Sequence, residues 1–300
     1  MRAGIDLGGT KIEGIVLDPA GAVLARRRIA APHGDYGATI DAIRGLVRDL
    51  EADAGPVTRV GVGIPGTLSP ATRLVKNANS TWLIGHPLDA DLAAALGRPV
   101  RLANDANCFA VSEAADGAAA GAGVVFGVIL GTGVGGGIAI DGRPLTGVNA
   151  VAGEWGHNPL PWPDADERPG PSCYCGLEGC IETFLSGPAL ARDHAAVTGK
   201  TLSPPEIAVR ADAGDTQALQ TMARYENRLA RALATVINVL DPNVIVLGGG
   251  LSNLARLYDR VPMLWNRWVF SDEVATRLVP ARHGDASGVR GAAWLWPAKN

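Results

Sequence analysis

Several features are scarce in this 300-residue sequence, and each absence excludes a class of protein. No uninterrupted apolar stretch is long enough to span a bilayer. The first residues lack the basic segment, apolar core and cleavage site of a secretory signal, so we expect a cytoplasmic location. The net charge is only −3, and the one basic run, at residues 26–28, alternates faces on a predicted strand. Nucleic acid and membrane surfaces are therefore not expected as partners.

Length and composition favour a folded chain with two lobes. Hydrophobic residues make up 47% of the sequence and charged residues 19%, which is typical of globular proteins. A chain of 30.9 kDa can bury two cores of ordinary size. We predict an N-terminal lobe over residues 1–118 and a C-terminal lobe over residues 119–300.

The order of predicted elements indicates an internal duplication. Strands are predicted at 2–7, 11–17 and 22–30, followed by a helix at 35–53, a strand at 57–64, a helix at 88–96, a strand at 100–102 and a helix at 105–115. The pattern begins again at Val124, where residues 127–133 resemble residues 4–10. A long helix at 216–240, a strand at 244–247 and a last helix at 287–296 follow. Two similar lobes imply a cleft between them, where ligands usually bind.

Three glycine-rich turns follow predicted strands, at residues 8–11, 131–137 and 248–250. Without Cβ atoms, several backbone N–H groups can approach one phosphate. A single turn of this kind is equally compatible with a tight hairpin, but three in a duplicated chain favour a nucleotide. Neither a dinucleotide-binding crossover nor a P-loop fits, because strand and turn follow Gly136 and no turn has the P-loop spacing.

Three of the four cysteines fall within eight positions, and a histidine lies a short way upstream. Cys173, Cys175, Cys180 and His157 suit tetrahedral zinc, and with four protein ligands the metal is expected to be structural. The predicted zinc-binding loop spans residues 157–182. Buried cysteines or a disulfide are the alternative, which a cytoplasmic chain disfavours. Cys108, alone on a predicted helix, is expected in the core.

Asp105 stands just after a predicted strand and at the start of a helix. A carboxylate at this place suits a phosphotransferase, because it can accept the proton of an attacking hydroxyl. Capping of the helix by Asp105 is the structural alternative.

Taken together, these motifs resemble the ROK family of sugar kinases. The resemblance covers nearly the whole chain and rests on residues 4–11, 63–66, 104–107, 131–133, 154–157 and 173–182. It implies an α/β, actin-like ATPase fold built from duplicated ribonuclease-H-like lobes, with ATP and magnesium between them. It also implies that Asp105 is the catalytic base, that His157 uses one ring nitrogen for zinc and the other for a sugar hydroxyl, and that the protein is a homodimer.

The resemblance assigns further residues to ligands. The nucleotide-binding residues are Gly4, Ile5, Asp6, Leu7, Gly8, Gly9, Thr10, Lys11, Gly131, Thr132, Gly133, Val134, Gly135, Gly136, Gly137, Ile138, Ala139, Ile140, Asp141, Gly248, Gly249 and Gly250, with Asp6 facing magnesium. The sugar-binding residues are Gly66, Asn79, Asn104, Asp105, Glu154, His157 and Glu182.

The expected acceptor is a free hexose. Residues 76–83, 157–162 and 283–297 resemble bacterial fructokinases of the manno(fructo)kinase type. Trp82 could close the space that an N-acetyl group needs, or it could be ordinary core. Fructose is therefore ranked first, then mannose or glucose, with N-acetylglucosamine or N-acetylmannosamine as the alternative. A sugar-responsive transcriptional repressor with an added helix-turn-helix, and an ATP-hydrolysing assembly protein, are less favoured.

Overall fold

The computed structural model describes residues 1–297 and contains two five-stranded sheets and a two-stranded one. The strands are β1 (Arg2–Leu7), β2 (Lys11–Leu17), β3 (Val23–Ala30), β4 (Val60–Ile64), β5 (Thr67–Leu68), β6 (Val75–Lys76), β7 (Val100–Asn104), β8 (Val124–Leu130), β9 (Val134–Ile140), β10 (Arg143–Pro144), β11 (Val244–Gly248) and β12 (Arg277–Pro280). The helices are α1 (Tyr36–Ala54), α2 (Leu88–Leu96), α3 (Asp105–Ala115), α4 (Glu182–Leu185), α5 (Gly187–Thr198), α6 (Pro204–Asp212), α7 (Thr216–Leu240), α8 (Arg256–Leu264) and α9 (Ser287–Trp294).

The two large sheets have the same topology, which confirms the predicted duplication. The first has the order β3-β2-β1-β4-β7 and the second the order β10-β9-β8-β11-β12. In the first, β1 and β2 are antiparallel, whereas β1, β4 and β7 are parallel. In the second, β8, β11 and β12 are parallel. Each sheet therefore gathers the carboxyl ends of three parallel strands at one edge, where ligands of α/β proteins usually bind.

The described chain divides into two compact units that are not contiguous in sequence. The first contains Met1–Gly123, Gly137–Gly153 and the segment from Arg282 onward, and the second contains Val124–Gly136 and Glu154–Ala281. This division differs from the predicted contiguous lobes because α9 packs on β1, β4 and α3 of the first unit. Within residues 1–297, no helix is long and apolar enough to cross a membrane.

Close backbone contact holds α9 in the first unit. A Cβ on Gly291 would lie 1.6 Å from the carbonyl oxygen of Cys108 in α3, and one on Gly61 would lie 1.8 Å from the carbonyl oxygen of Ala292. Glycine at these positions lets the helix approach both α3 and the sheet. Cys108 is fully buried here, as the sequence predicts.

A buried carboxylate fixes the start of α9. Glu113 of α3 is fully buried and accepts hydrogen bonds from the backbone N–H groups of Ala118 at 2.8 Å and Arg282 at 3.0 Å. It also accepts one from the hydroxyl of Ser287 at 2.8 Å. Because several donors satisfy it, the buried charge is tolerated and ties α9 to α3.

Candidate active site and metal centre

The predicted catalytic residue lies at the carboxyl end of β7. Asn104 ends β7 and is the N-cap of α3, because its side-chain oxygen accepts a hydrogen bond from the backbone N–H of Ala106 at 2.9 Å. Asp105 is the first residue of the helix, and its Oδ1 accepts from the same N–H at 2.7 Å. Capping is thus done by Asn104 rather than by Asp105. The carboxylate of Asp105 benefits from the partial positive charge at the helix N-terminus.

Asp6 lies near the end of β1, two strands away in the same parallel set. Burial raises its pKa to about 6, and the carboxylates of Asp105 and Glu13 add to the effect, which Lys11 and Arg28 only partly offset. A Cβ on Gly288 would lie 3.3 Å from Asp6 Oδ2, so glycine leaves room beside this carboxylate. A carboxylate with a glycine beside it can bind a divalent cation that prefers oxygen ligands, and magnesium is such a cation.

Two predicted sugar-contact residues of the first unit are neighbours. The backbone N–H of Asn79 donates to the carbonyl of Pro65, next to Gly66, at 3.2 Å. A cavity of about 650 Å³ in the same unit has Asn104 in its lining. This volume is in the usual range for small-molecule sites.

Trp82 takes part in core packing. Its Nε1 donates to Thr39 Oγ1 at 3.2 Å, its ring centroid lies 4.7 Å from that of His33, and it packs against the main cluster of the first unit. Trp82 is therefore part of the core, which is one of the two roles that the sequence left open. The side chain is held on two sides and has little freedom to move.

Two of the predicted nucleotide turns meet in the second unit. Gly131–Gly133 follows β8 and Gly249 follows β11, its parallel neighbour. A Cβ on Gly249 would lie 2.4 Å from the carbonyl oxygen of Leu130, and this residue has φ +79. Only glycine fits this contact and this conformation, so the two turns lie side by side. The other predicted turn, at residues 8–11, follows β1 in the first unit.

Several predicted nucleotide-binding residues can offer only backbone atoms. Ile5, Leu7 and Ala139 are buried in the core. A Cβ on Gly4 would lie 2.1 Å from the carbonyl oxygen of Val289 in α9. Packing explains these residue types, and their assignment to the nucleotide stays a prediction.

The predicted sugar residue Glu182 contacts the glycine turn after β8. Its Oε2 accepts a hydrogen bond from the backbone N–H of Val134 at 2.8 Å. Trp155, which follows Glu154, donates through Nε1 to the carbonyl of Gly135 at 3.1 Å and packs edge-on against Phe126. The last residue of the predicted zinc-binding loop and the segment just before its start are thereby fixed to the β8–β9 hairpin, a relation that the sequence did not indicate.

The structure brings the four predicted zinc ligands together. The ligand atoms of His157, Cys173, Cys175 and Cys180 all lie within 4.8 Å of one another. His157 Nδ1 lies 3.6 Å from Cys173 Sγ, and the sulfurs of Cys175 and Cys180 are also 3.6 Å apart. Two ligands of one tetrahedral zinc are roughly 3.5–3.8 Å apart, given bonds of about 2.0–2.3 Å. The cluster therefore fits zinc with its four positions filled by protein.

Without metal, the thiols differ in acidity. Burial raises the pKa of Cys180 to about 12. A hydrogen bond from the backbone N–H of Leu177 lowers the pKa of Cys175, which is exposed. Zinc ligation requires thiolates, so metal binding releases protons.

The second ring nitrogen of His157 faces Tyr174. Nε2 lies 3.0 Å from the tyrosine hydroxyl, and the two rings are perpendicular with centroids 5.1 Å apart. The tyrosine side chain is 80% exposed. Sequence reasoning gave Tyr174 no role, although its place between two metal ligands was a signal.

A buried ion cluster, the Glu167 cluster, fixes the middle of the zinc-binding loop to α7. Glu167, only 6% exposed, accepts from Arg228 Nε at 2.7 Å and from Arg231 Nη2 at 2.8 Å. Arg231 also donates to the carbonyl of Trp162 at 2.6 Å, and Arg228 to Asp193 at 2.8 Å. Burial alone would raise the pKa of Glu167, but the hydrogen bonds from the two arginines outweigh it and lower the pKa to about 2.

Comparison with known proteins identifies the family. Residues 2–299 match the sequence profile of the ROK family. The chain belongs to the ROK family. It is 41% identical over 299 residues to an N-acetyl-D-glucosamine kinase of Salmonella paratyphi A, covering 98% of this chain and 99% of the relative. A protein of the same name from Salmonella typhimurium is 40% identical with the same coverage.

Solved structures of ROK proteins share the fold. A ROK hexokinase from Thermus thermophilus superposes with a TM-score of 0.86 at 32% identity, covering 98% of this chain and 97% of that one. A ROK family glucokinase from Streptomyces griseus, in complex with glucose and AMPPNP, gives a TM-score of 0.73 at 29% identity, with 97% of each chain covered. The predicted actin-like ATPase fold is confirmed.

Proposed function

We propose that this ROK protein transfers the γ-phosphoryl group of ATP to a hydroxyl of a free hexose. The observation that carries the proposal is whole-chain similarity to kinases of small sugars, one of which was solved with glucose and an ATP analogue. Asp105 adds local support, because it stands at a strand end and a helix start, where a carboxylate can meet a hydroxyl.

In the proposed reaction, Asp105 orients the acceptor hydroxyl and takes its proton as the oxygen attacks phosphorus in line. Asn104, fixed as the cap of α3, supports the position of Asp105. Asp6 would hold magnesium, which when bound neutralises phosphate charge. The glycine turns at Gly131–Gly133 and Gly248–Gly250, with that at residues 8–11, would offer backbone N–H groups to the phosphates.

The zinc centre is proposed to be structural. Its four protein ligands would fill a tetrahedral shell and would leave no position for a reacting water. Zinc would hold His157 in one tautomer and orientation. Glu154, just before the loop, and Glu182, at its end, would contact sugar hydroxyls. The remaining nucleotide and sugar contacts and a homodimer stay predictions.

For the acceptor we propose N-acetylglucosamine ahead of fructose, which reverses the ranking from sequence. Relatives 40–41% identical over nearly their full length are named N-acetyl-D-glucosamine kinases. Fructose remains the second candidate, because the fixed position of Trp82 favours a plain hexose if this ring borders the acceptor.

A coupled ADP-release assay with ATP and magnesium tests the proposal. We would compare kcat/KM for N-acetylglucosamine, N-acetylmannosamine, fructose, mannose and glucose. A preference for N-acetylglucosamine supports both levels of the proposal, and a preference for fructose keeps the kinase and restores the original ranking. Absence of turnover with every sugar, using zinc-loaded protein, would contradict the kinase assignment.

A further inference from the structure

Tyr174 is the residue of the zinc-binding loop that the proposed reaction leaves without a role. It lies between two metal-ligand cysteines, and its side chain is 80% exposed. Among the described residues, its hydroxyl makes one hydrogen-bond contact, 3.0 Å to His157 Nε2. Because this side chain is mostly exposed, core packing does not explain why its hydroxyl lies against Nε2 of His157.

The chemistry of His157 determines what this contact does. Nδ1 faces Cys173 Sγ at 3.6 Å and is therefore the nitrogen on the metal side. When Nδ1 is a metal ligand, the ring proton must be on Nε2, which then acts as a donor. The hydroxyl oxygen of Tyr174 accepts this proton at 3.0 Å. The one donor that His157 could offer to a sugar is thus already in use.

We propose that Tyr174 sets the affinity of the acceptor site, as a movable cover whose hydroxyl competes with the acceptor sugar for the Nε2–H of His157. The inference rests on the proposed function, because it takes the sugar hydroxyl as the second partner of this nitrogen. Binding of sugar requires the tyrosine to swing away. The movement is easy, because the ring is exposed and its hydrogen bond and its ring contact are both with His157.

The size of the effect follows from the single hydrogen bond that must be broken. A net contribution at the lower end of the usual range corresponds to about two- to fivefold in a binding constant, since the pair is exposed. Tyr174→Phe removes the competing oxygen and keeps the ring. We therefore expect the substitution to tighten sugar binding by about two- to fivefold.

Isothermal titration of the full, zinc-loaded chain with N-acetylglucosamine and with fructose, without ATP, measures this effect. Tyr174→Phe should lower the Kd of the sugar that binds, and Tyr174→Ala should lower it at least as much. In steady state, the KM for sugar should fall while kcat and the KM for ATP stay unchanged. Leu177→Ala is the matched control, because this exposed side chain lies in the same turn.

The outcomes separate the two proposals. Weaker or unchanged sugar binding by Tyr174→Phe, with zinc content equal to wild type, would overturn the role of Tyr174 as a competing cover. Weaker binding would mean that the hydroxyl contacts the sugar directly. If wild-type protein binds and phosphorylates no hexose, the proposed function fails first, and this inference fails with it.

Discussion

Replacing Glu167 by glutamine is the most informative test of how the zinc-binding loop is held. The change removes the negative charge from the Glu167 cluster and leaves Arg228 and Arg231 buried beside a neutral side chain. Loss of one partner from a buried ion pair is strongly destabilising because the remaining charge is not compensated. The neutral amide keeps the size of the side chain, so cavity formation does not contribute.

The magnitude follows from the acidity of Glu167. Its pKa falls from 4.5 to about 2 on folding, and each pKa unit is about 1.4 kcal/mol, so the ionised group contributes about 3 kcal/mol at pH 7. Because the folded-state pKa is depressed, this stability is present above pH 4.5 and is lost as the pH falls toward 2. At pH 3.5 about 2 kcal/mol should remain.

Thermal unfolding at pH 7 and pH 3.5 measures the difference. We expect Glu167→Gln to lower Tm by roughly 6 °C at pH 7 and by less at pH 3.5, at roughly 2 °C per kcal/mol for a chain of this size. Asp53→Asn is the control, since it breaks the exposed pair with Arg27 and should leave Tm unchanged. Zinc content measured in parallel shows that metal loss is not the cause. A variant that melts within 1 °C of wild type at both pH values would refute the reasoning.

Three further substitutions test other parts of the structure. Asp105→Asn should lower kcat by about 10²- to 10⁴-fold and weaken sugar binding, measured by titration, far less; full activity would contradict the assignment of Asp105 as the base. Cys175→Ser should lose zinc, measured by metal analysis, together with stability and sugar affinity; an active, zinc-free variant would contradict the structural role of the metal. Gly291→Ala should destabilise by about 3 kcal/mol or more, because its Cβ would overlap the Cys108 carbonyl. The control for Gly291→Ala is Gly45→Ala on α1, which has open space around it and should be neutral or stabilising in the same denaturation experiment.

Elements with a clear hydrophobic period were predictable from sequence. The helices at Leu88–Leu96, Asp105–Ala115 and Thr216–Leu240 have the predicted bounds, and the first strand is also as predicted. The last helix ends at Trp294, two residues before the predicted end. In the second half, α5, α6, α8 and β12 were not assigned. The sequence did contain a signal for α6, because Ser203 and Glu206 form a capping box at its start. The prolines at the first positions of this helix are compatible with a helix start and do not require a loop.

The candidate site was predictable where one short segment carries the chemistry. The cysteine spacing alone indicated the zinc cluster, and the four ligand atoms do converge. The Glu167 cluster was not predictable, since Arg228 and Arg231 are more than 60 residues away from Glu167 along the chain. Long-range pairing of charges leaves no local pattern. The packing of α9 on the first unit was also missed, because its partners β1, β4 and α3 lie far away along the chain.

The position of α9 also bears on how the chain folds as it leaves the ribosome. Helix α9 follows every other described element in sequence, yet it lies against β1, β4 and α3 of the first unit. Until it is synthesised, the apolar face of that sheet lacks its cover, and the carboxylate of Glu113 lacks its donors Arg282 and Ser287. The second unit ends at Ala281 and can be complete earlier. The half of the protein that is translated first is therefore the half that finishes folding last, and it is the one that most needs protection from aggregation during synthesis.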